Sequence, residues 1–88
     1  MRTENVTVRF DHGLHLRVAA RIAEIVQRGK ASVQIQKDGR PAANAGSVLE
    51  LLCLGAKSGS NLTVTADGPE KDIVVNALAE LFEQGGGI

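Results

Sequence analysis

Four short strands and three amphipathic helices, in the order β-α-β-β-α-β-α, place this 88-residue sequence in the α+β class, with one face of a sheet covered by helices. Three observations predict it. Short runs of period-two alternation recur along the chain, longer stretches take the helical period, and glycine, proline or a capping serine separates them. No internal repeat and no linker divides the sequence, so residues 1–88 are expected to form a single domain with an ordered core over about 4–84.

The first strand is read from residues 5–10, where Val6, Val8 and Phe10 point one way and Asn5, Thr7 and Arg9 the other. Asp11-His12-Gly13 breaks that run. From Leu16 the spacing turns helical: Ala19, Ile22, Ala23 and Val26 form an apolar stripe, flanked by Val18 and Ile25. Arg17, Arg21, Glu24 and Arg28 fall opposite, with Glu24 in reach of Arg21 and Arg28, and Gly29 is the stop. Residues 32–37 alternate again, with Val33 and Ile35 inward. Asp38-Gly39 signals a two-residue hairpin into a return strand from Arg40 to Ala43. Pro41 cannot donate to a ladder, which puts that strand at an edge or a bulge.

Asn44-Ala45-Gly46 reads as a loop. Ser47 with Glu50 then fits a capping box that opens a short helix ending near Leu54-Gly55. Leu62, Val64 and Ala66 alternate with Thr63 and Thr65 as the fourth strand. Asp67-Gly68 ends it. Pro69 suits the first turn of a final helix, and Glu70 and Asp72 suit its positive end. Val74, Ala77, Leu78, Leu81 and Phe82 are its expected buried stripe, and Gly85-Gly86-Gly87 a loose tail.

Composition narrows the function classes. Hydrophobic residues make up 43% of the chain, enough for an aliphatic core and too many for disorder. Ten basic residues balance ten acidic ones, against the basic excess of a general nucleic-acid binder. Cys53 is the only cysteine, which excludes an intrachain disulfide and a cysteine-based zinc site, and Cys53 itself is expected to be a small buried hydrophobe. No apolar run is long enough for a membrane helix, and Met1 leads straight into the alternating run rather than a signal peptide; a cytoplasmic protein is expected. The neutral total hides a gradient. Residues 1–40 carry eight basic and four acidic groups, while residues 41–88 carry two basic and six acidic ones.

Asp11-His12-Gly13-Leu14-His15-Leu16-Arg17-Val18-Ala19-Ala20 is the stretch richest in chemistry. It places His15 at or just before the first helix, where backbone N–H groups lack intrahelical partners and the helix dipole favours an anion. Arg17 offers a planar fork of donors to phosphate oxygens, and Gly13 permits a tight turn. Neutral imidazole is a nitrogen nucleophile, so this grouping suits accepting and releasing a phosphoryl group. On chemistry alone, a surface histidine that happens to precede a helix is the commoner reading. His12 and His15 give only two metal ligands, so no metal site and no cofactor is expected.

Gly13-Leu14-His15-Leu16-Arg17-Val18-Ala19-Ala20 resembles the active-site motif of the HPr family, histidine-containing phosphocarrier proteins of the bacterial phosphoenolpyruvate:sugar phosphotransferase system. Chain length, element order, the short helix opened by Ser47, Leu54-Gly55, and the strand Leu62–Ala66 followed by Asp67-Gly68 are similar too. The resemblance implies an HPr-like open-faced β-sandwich of four antiparallel strands with three helices on one face. It implies that His15 takes a phosphoryl group, on Nδ1, from phospho-enzyme I and passes it to an enzyme IIA-type domain, with Arg17 assisting. A monomer without turnover of its own is expected. Ser47 matches the family's regulatory serine, the target of HPr kinase/phosphorylase; an HPr-like effector acting mainly through that serine is the alternative. Ser47 is also readable as a structural cap, worth about 0.5–2 kcal/mol over alanine. Leu16, Arg21, Val48, Leu49 and Leu52 are the expected partner-binding residues, an apolar patch rimmed by charge. The sequence departs from the family at Val18, usually proline, at Gly46, often lysine, at Leu16, commonly a small or hydroxylated residue, and at His12, often asparagine.

Overall fold

The computed structural model describes residues 1–85. Its elements are β1 (Arg2–Thr7), α1 (Leu16–Arg28), β2 (Ser32–Lys37), β3 (Ala43–Asn44), α2 (Val48–Cys53), β4 (Asn61–Asp67) and α3 (Lys71–Glu83). The strands form one sheet in the order β1-β4-β2-β3, antiparallel at every pairing. This is the expected four-stranded antiparallel sheet with three helices.

Alternation decides which face the helices cover. Val6, Val33, Ile35, Ala43, Leu62, Val64 and Ala66 point inward and are buried. Thr3, Asn5, Ser32, Gln34, Gln36 and Asn61 point outward and are exposed. From above, α1 supplies Val18, Ala19, Ile22, Ala23 and Val26, α2 supplies Leu51, and α3 supplies Val74, Val75, Leu78, Leu81 and Phe82. No polar or charged residue among those described is buried, so the core holds by apolar packing. The two aromatic residues of the chain, Phe10 and Phe82, meet with ring centroids 5.4 Å apart. That contact fixes the end of α3 beneath the loop that leaves β1.

Several boundaries move from their sequence-based positions. β1 begins at Arg2 and stops at Thr7 rather than running from 5 to 10, because its partner β4 begins at Asn61, opposite Thr7. Val8 and Phe10 keep the alternation of burial outside the ladder, with Val8 N–H donating to the Ser60 carbonyl at 2.8 Å. Arg2 and Glu4 lie on the helix side without being apolar, and Arg2 reaches Asp72 of α3 at 3.1 Å.

The return strand is Ala43–Asn44, not Arg40–Ala43. Arg40 N–H closes the tight turn on the Lys37 carbonyl at 3.0 Å, yet the ladder pairs Ile35 with Ala43. One extra residue therefore sits in the return arm, the bulge that Pro41 demands on an edge.

Pro69 lies ahead of α3, and Glu70 is its N-cap rather than a first-turn residue. The Glu70 carboxylate is engaged elsewhere: it accepts from Lys30 N–H at 3.0 Å, while Glu70 N–H donates to the Lys30 carbonyl at 3.0 Å. Val75 takes the buried place expected of Ala77, which is half-buried, because α3 packs on both the sheet and α1. Cys53 is exposed, against the expectation of burial. It occupies the last turn of a six-residue helix whose buried face is Leu51. Of the expected glycine tail, residues 86–88 lie outside the described residues.

Candidate functional site

His15 is the N-cap of α1, with extended backbone at φ −91° and ψ 178°. Its N–H donates to the Gly13 carbonyl at 3.0 Å, and its own carbonyl accepts the first helical bond from Ala19 N–H at 2.9 Å. Its side chain caps nothing, so the imidazole is left to face outward, half-buried. The amides of Leu16, Arg17 and Val18 precede that first helical bond and have no intrahelical acceptor. No acidic residue stands in the first turn to occupy them.

The loop carrying His15 is held from behind. Leu14 is buried, and its N–H donates to the Ala56 carbonyl at 2.9 Å. Gly13 has φ +71°, and a Cβ there would lie 2.6 Å from the Ala56 oxygen. Only glycine fits this backbone and this approach together.

One cavity of about 250 Å³ opens beside His15, lined by Arg9, Phe10, Asp11, His12, His15, Val18 and Gly85. The His12 and His15 rings meet edge to face, centroids 6.4 Å apart. Arg17 is exposed on the first turn of α1 and does not line this cavity. Sequence reasoning named His15 and Arg17 and treated Arg9 only as an outward strand residue. Its place beside the histidine depends on β1 ending at Thr7, a tertiary fact. Val18, on the first turn of α1, is a core residue at 1% exposure.

No group of three or more histidine, cysteine, aspartate or glutamate side chains suited to a metal occurs among the described residues. Among those residues, no helix is long and apolar enough to cross a membrane.

The remaining predicted residues fall on the surface made by α1 and α2. Leu16 is 64% exposed and Leu49 74%. Arg21 is exposed and bonded to Glu24 at 2.6 Å, while Val48 and Leu52 are half-buried against the core. Two hydrogen bonds set the direction of α2: Gln27 Nε2 donates to the Gly46 carbonyl at 2.8 Å, and Ala56 accepts from Leu14. The two helices are thus antiparallel, and Ser47 sits toward the Gln27 end of α1 rather than the His15 end. Ser47 Oγ accepts from Glu50 N–H at 3.3 Å, the predicted cap. The reciprocal half of the capping box is missing: Glu50 Oε1 accepts instead from Asn44 N–H at 3.0 Å, tying α2 to β3.

Residues 2–84 match the protein-family model described as "PTS HPr component phosphorylation site". The chain is 30% identical over 83 residues to the phosphocarrier protein HPr of Xylella fastidiosa, covering 94% of this chain and 92% of that one. It is 34% identical over 73 residues to the phosphocarrier protein NPr of Escherichia coli, covering 83% and 81%. The crystal structure of HPr-C-His from Thermoanaerobacter tengcongensis is similar at a TM-score of 0.93 and 25% identity, covering 100% of this chain and 98% of that one.

Proposed function

The chain belongs to the HPr family of phosphocarrier proteins of the phosphotransferase system, and from that membership we propose that His15 is its phosphoryl acceptor. The observation that carries this reading is the placement of His15: a side chain free of any capping role, at a helix start with unpartnered amides, on a loop pinned by Gly13 and Leu14. In the relay, a ring nitrogen of His15 gives its lone pair to phosphorus. The bond from phosphorus to its donor on phospho-enzyme I breaks, and its electron pair stays with the donor. In the second step an imidazole on an enzyme IIA-type domain attacks the same phosphorus, and the pair of the N–P bond returns to His15. The chain is itself phosphorylated and dephosphorylated in this scheme and turns over no substrate.

The unpartnered amides and the helix dipole lower the cost of the added negative charge, and Arg17 meets phosphate oxygens from the solvent side. Leu16, Leu49 and Arg21, with the half-buried Val48 and Leu52, form the docking surface for enzyme I and enzyme IIA-type domains, with this chain acting as a cytoplasmic monomer. An exposed leucine rimmed by arginines suits contacts that must form and release quickly.

Incubation with phosphoenolpyruvate and enzyme I tests the reading. An acid-labile phosphoryl label on the wild type, absent from His15→Ala, is expected. An unlabelled wild type in the presence of phosphorylated enzyme I overturns it.

Ser47 is the site we assign to control by HPr kinase/phosphorylase. Its hydroxyl is half-buried and already directed at the first turn of α2, where a phosphate meets free N–H groups. Acid-stable label from ATP and the kinase, lost in Ser47→Ala, is the expected result; label retained in that variant removes the assignment.

A further inference from the structure

Arg9 and His12 have no role in the scheme above. Both line the cavity into which His15 opens, together with Phe10, Asp11, Val18 and Gly85. Both are exposed. Neither the Arg9 guanidinium nor the His12 ring has a hydrogen-bond or ion-pair partner among the described residues, whereas Arg2, Arg21 and Arg28 are each paired to a carboxylate. An arginine left unpaired beside a nucleophilic histidine has five donors to offer an anion. The His12 ring, edge to face with His15 at 6.4 Å, adds a further N–H donor.

Resting on the assignment of His15 as acceptor, we propose that Arg9 and His12 form a second arm of the phosphoryl site, holding the phosphoryl group of phospho-His15 from the cavity side. Arg17 lies outside the cavity, so the two arms reach the phosphoryl group from different sides. Asp11, also on the cavity wall, opposes an anion there, and the fixed charge of Arg9 offsets it. Phe10 and Val18, 2% and 1% exposed, are core residues behind the cavity and hold its wall in place.

The test is the equilibrium between phospho-enzyme I and this protein, read with the 31P resonance of the phosphorylated form. Arg9→Met keeps the stem and removes charge and donors, Arg9→Lys restores the charge, and His12→Ala removes the ring. About a tenfold fall in the equilibrium constant is expected for Arg9→Met, the worth of one hydrogen bond to a charged group at the modest end. His12→Ala should give a smaller fall, Arg9→Lys should recover most of the loss, and the 31P resonance should move in both loss variants. An unchanged constant and resonance in Arg9→Met and His12→Ala, with the wild type fully competent, overturns the proposal and leaves His15 as acceptor intact. A loss that Arg9→Lys does not reverse, or that follows a lowered Tm, also overturns it. Label surviving in His15→Ala overturns the acceptor assignment and this proposal together.

Discussion

His15 owes its position to its neighbours more than to its own contacts. Gly13 combines φ +71° with a close approach to the Ala56 carbonyl, so Gly13→Ala meets both backbone strain and a 2.6 Å clash. A stability loss of about 2–3 kcal/mol is expected in urea unfolding, with a matching loss of phosphoryl transfer as the loop shifts. Arg17 has no such structural duty. Arg17→Ala should leave the unfolding midpoint unchanged and slow transfer from phospho-enzyme I about tenfold or more, the worth of a hydrogen bond to a charged group. Cys53 reverses the sequence reading outright. Its exposed thiol should react with a maleimide in the native protein as completely as in urea, and protection in the native state would show the side chain to be covered.

At the scale of elements, the active loop is positioned by joints between helices and strands. Gly29 ends α1 with φ −90°, an ordinary conformation, so a left-handed cap is not its purpose. A Cβ there would come within 2.2 Å of Val74 Cγ2 on α3. Gly29→Ala should therefore cost about 1–3 kcal/mol through overpacking of α1 on α3, and a smaller residue at 74 should recover part of it. Glu50 joins α2 to β3 through Asn44 N–H, and Glu50→Ala should lower Tm through that lost joint. The Arg21–Glu24–Arg28 cluster on α1 joins two exposed arginines to a half-buried glutamate at the surface and adds little to stability.

Across the whole molecule, the neutral total resolves into opposed helices. α1 carries Arg17, Arg21 and Arg28 against Glu24, while α3 carries Lys71 against Asp72, Glu80 and Glu83. The two pack side by side on the same face of the sheet, so the charge gradient along the sequence becomes a gradient across the helical layer. Glu24 offsets one of these charges by bonding both Arg21 and Arg28, so α1 keeps a net charge of about +2, and Arg17, beside His15, is the arginine of that helix with no carboxylate partner among the described residues. Raising ionic strength should slow the encounter with phospho-enzyme I severalfold without altering the phosphorylation end point, measured by rapid quench at two salt concentrations.

By itself the sequence determined the class of fold, the order of elements, the capping role of Ser47 and the place of His15 at a helix start. Each is a local property: side-chain period, turn residues and capping chemistry act within a few residues. The inward faces of β2 and β4 and the stripe of α1 were legible for the same reason. Tertiary structure decided what depends on distant partners. The limits of β1 follow from where β4 begins, the register of β3 from a bulge at Pro41, and the fate of the Glu50 and Glu70 carboxylates from backbone amides on other elements. Exposure of Cys53 and the place of Arg9 on the cavity beside His15 are decided in the same way. No local pattern encodes them, because a cavity is made of side chains that only the packed chain brings together.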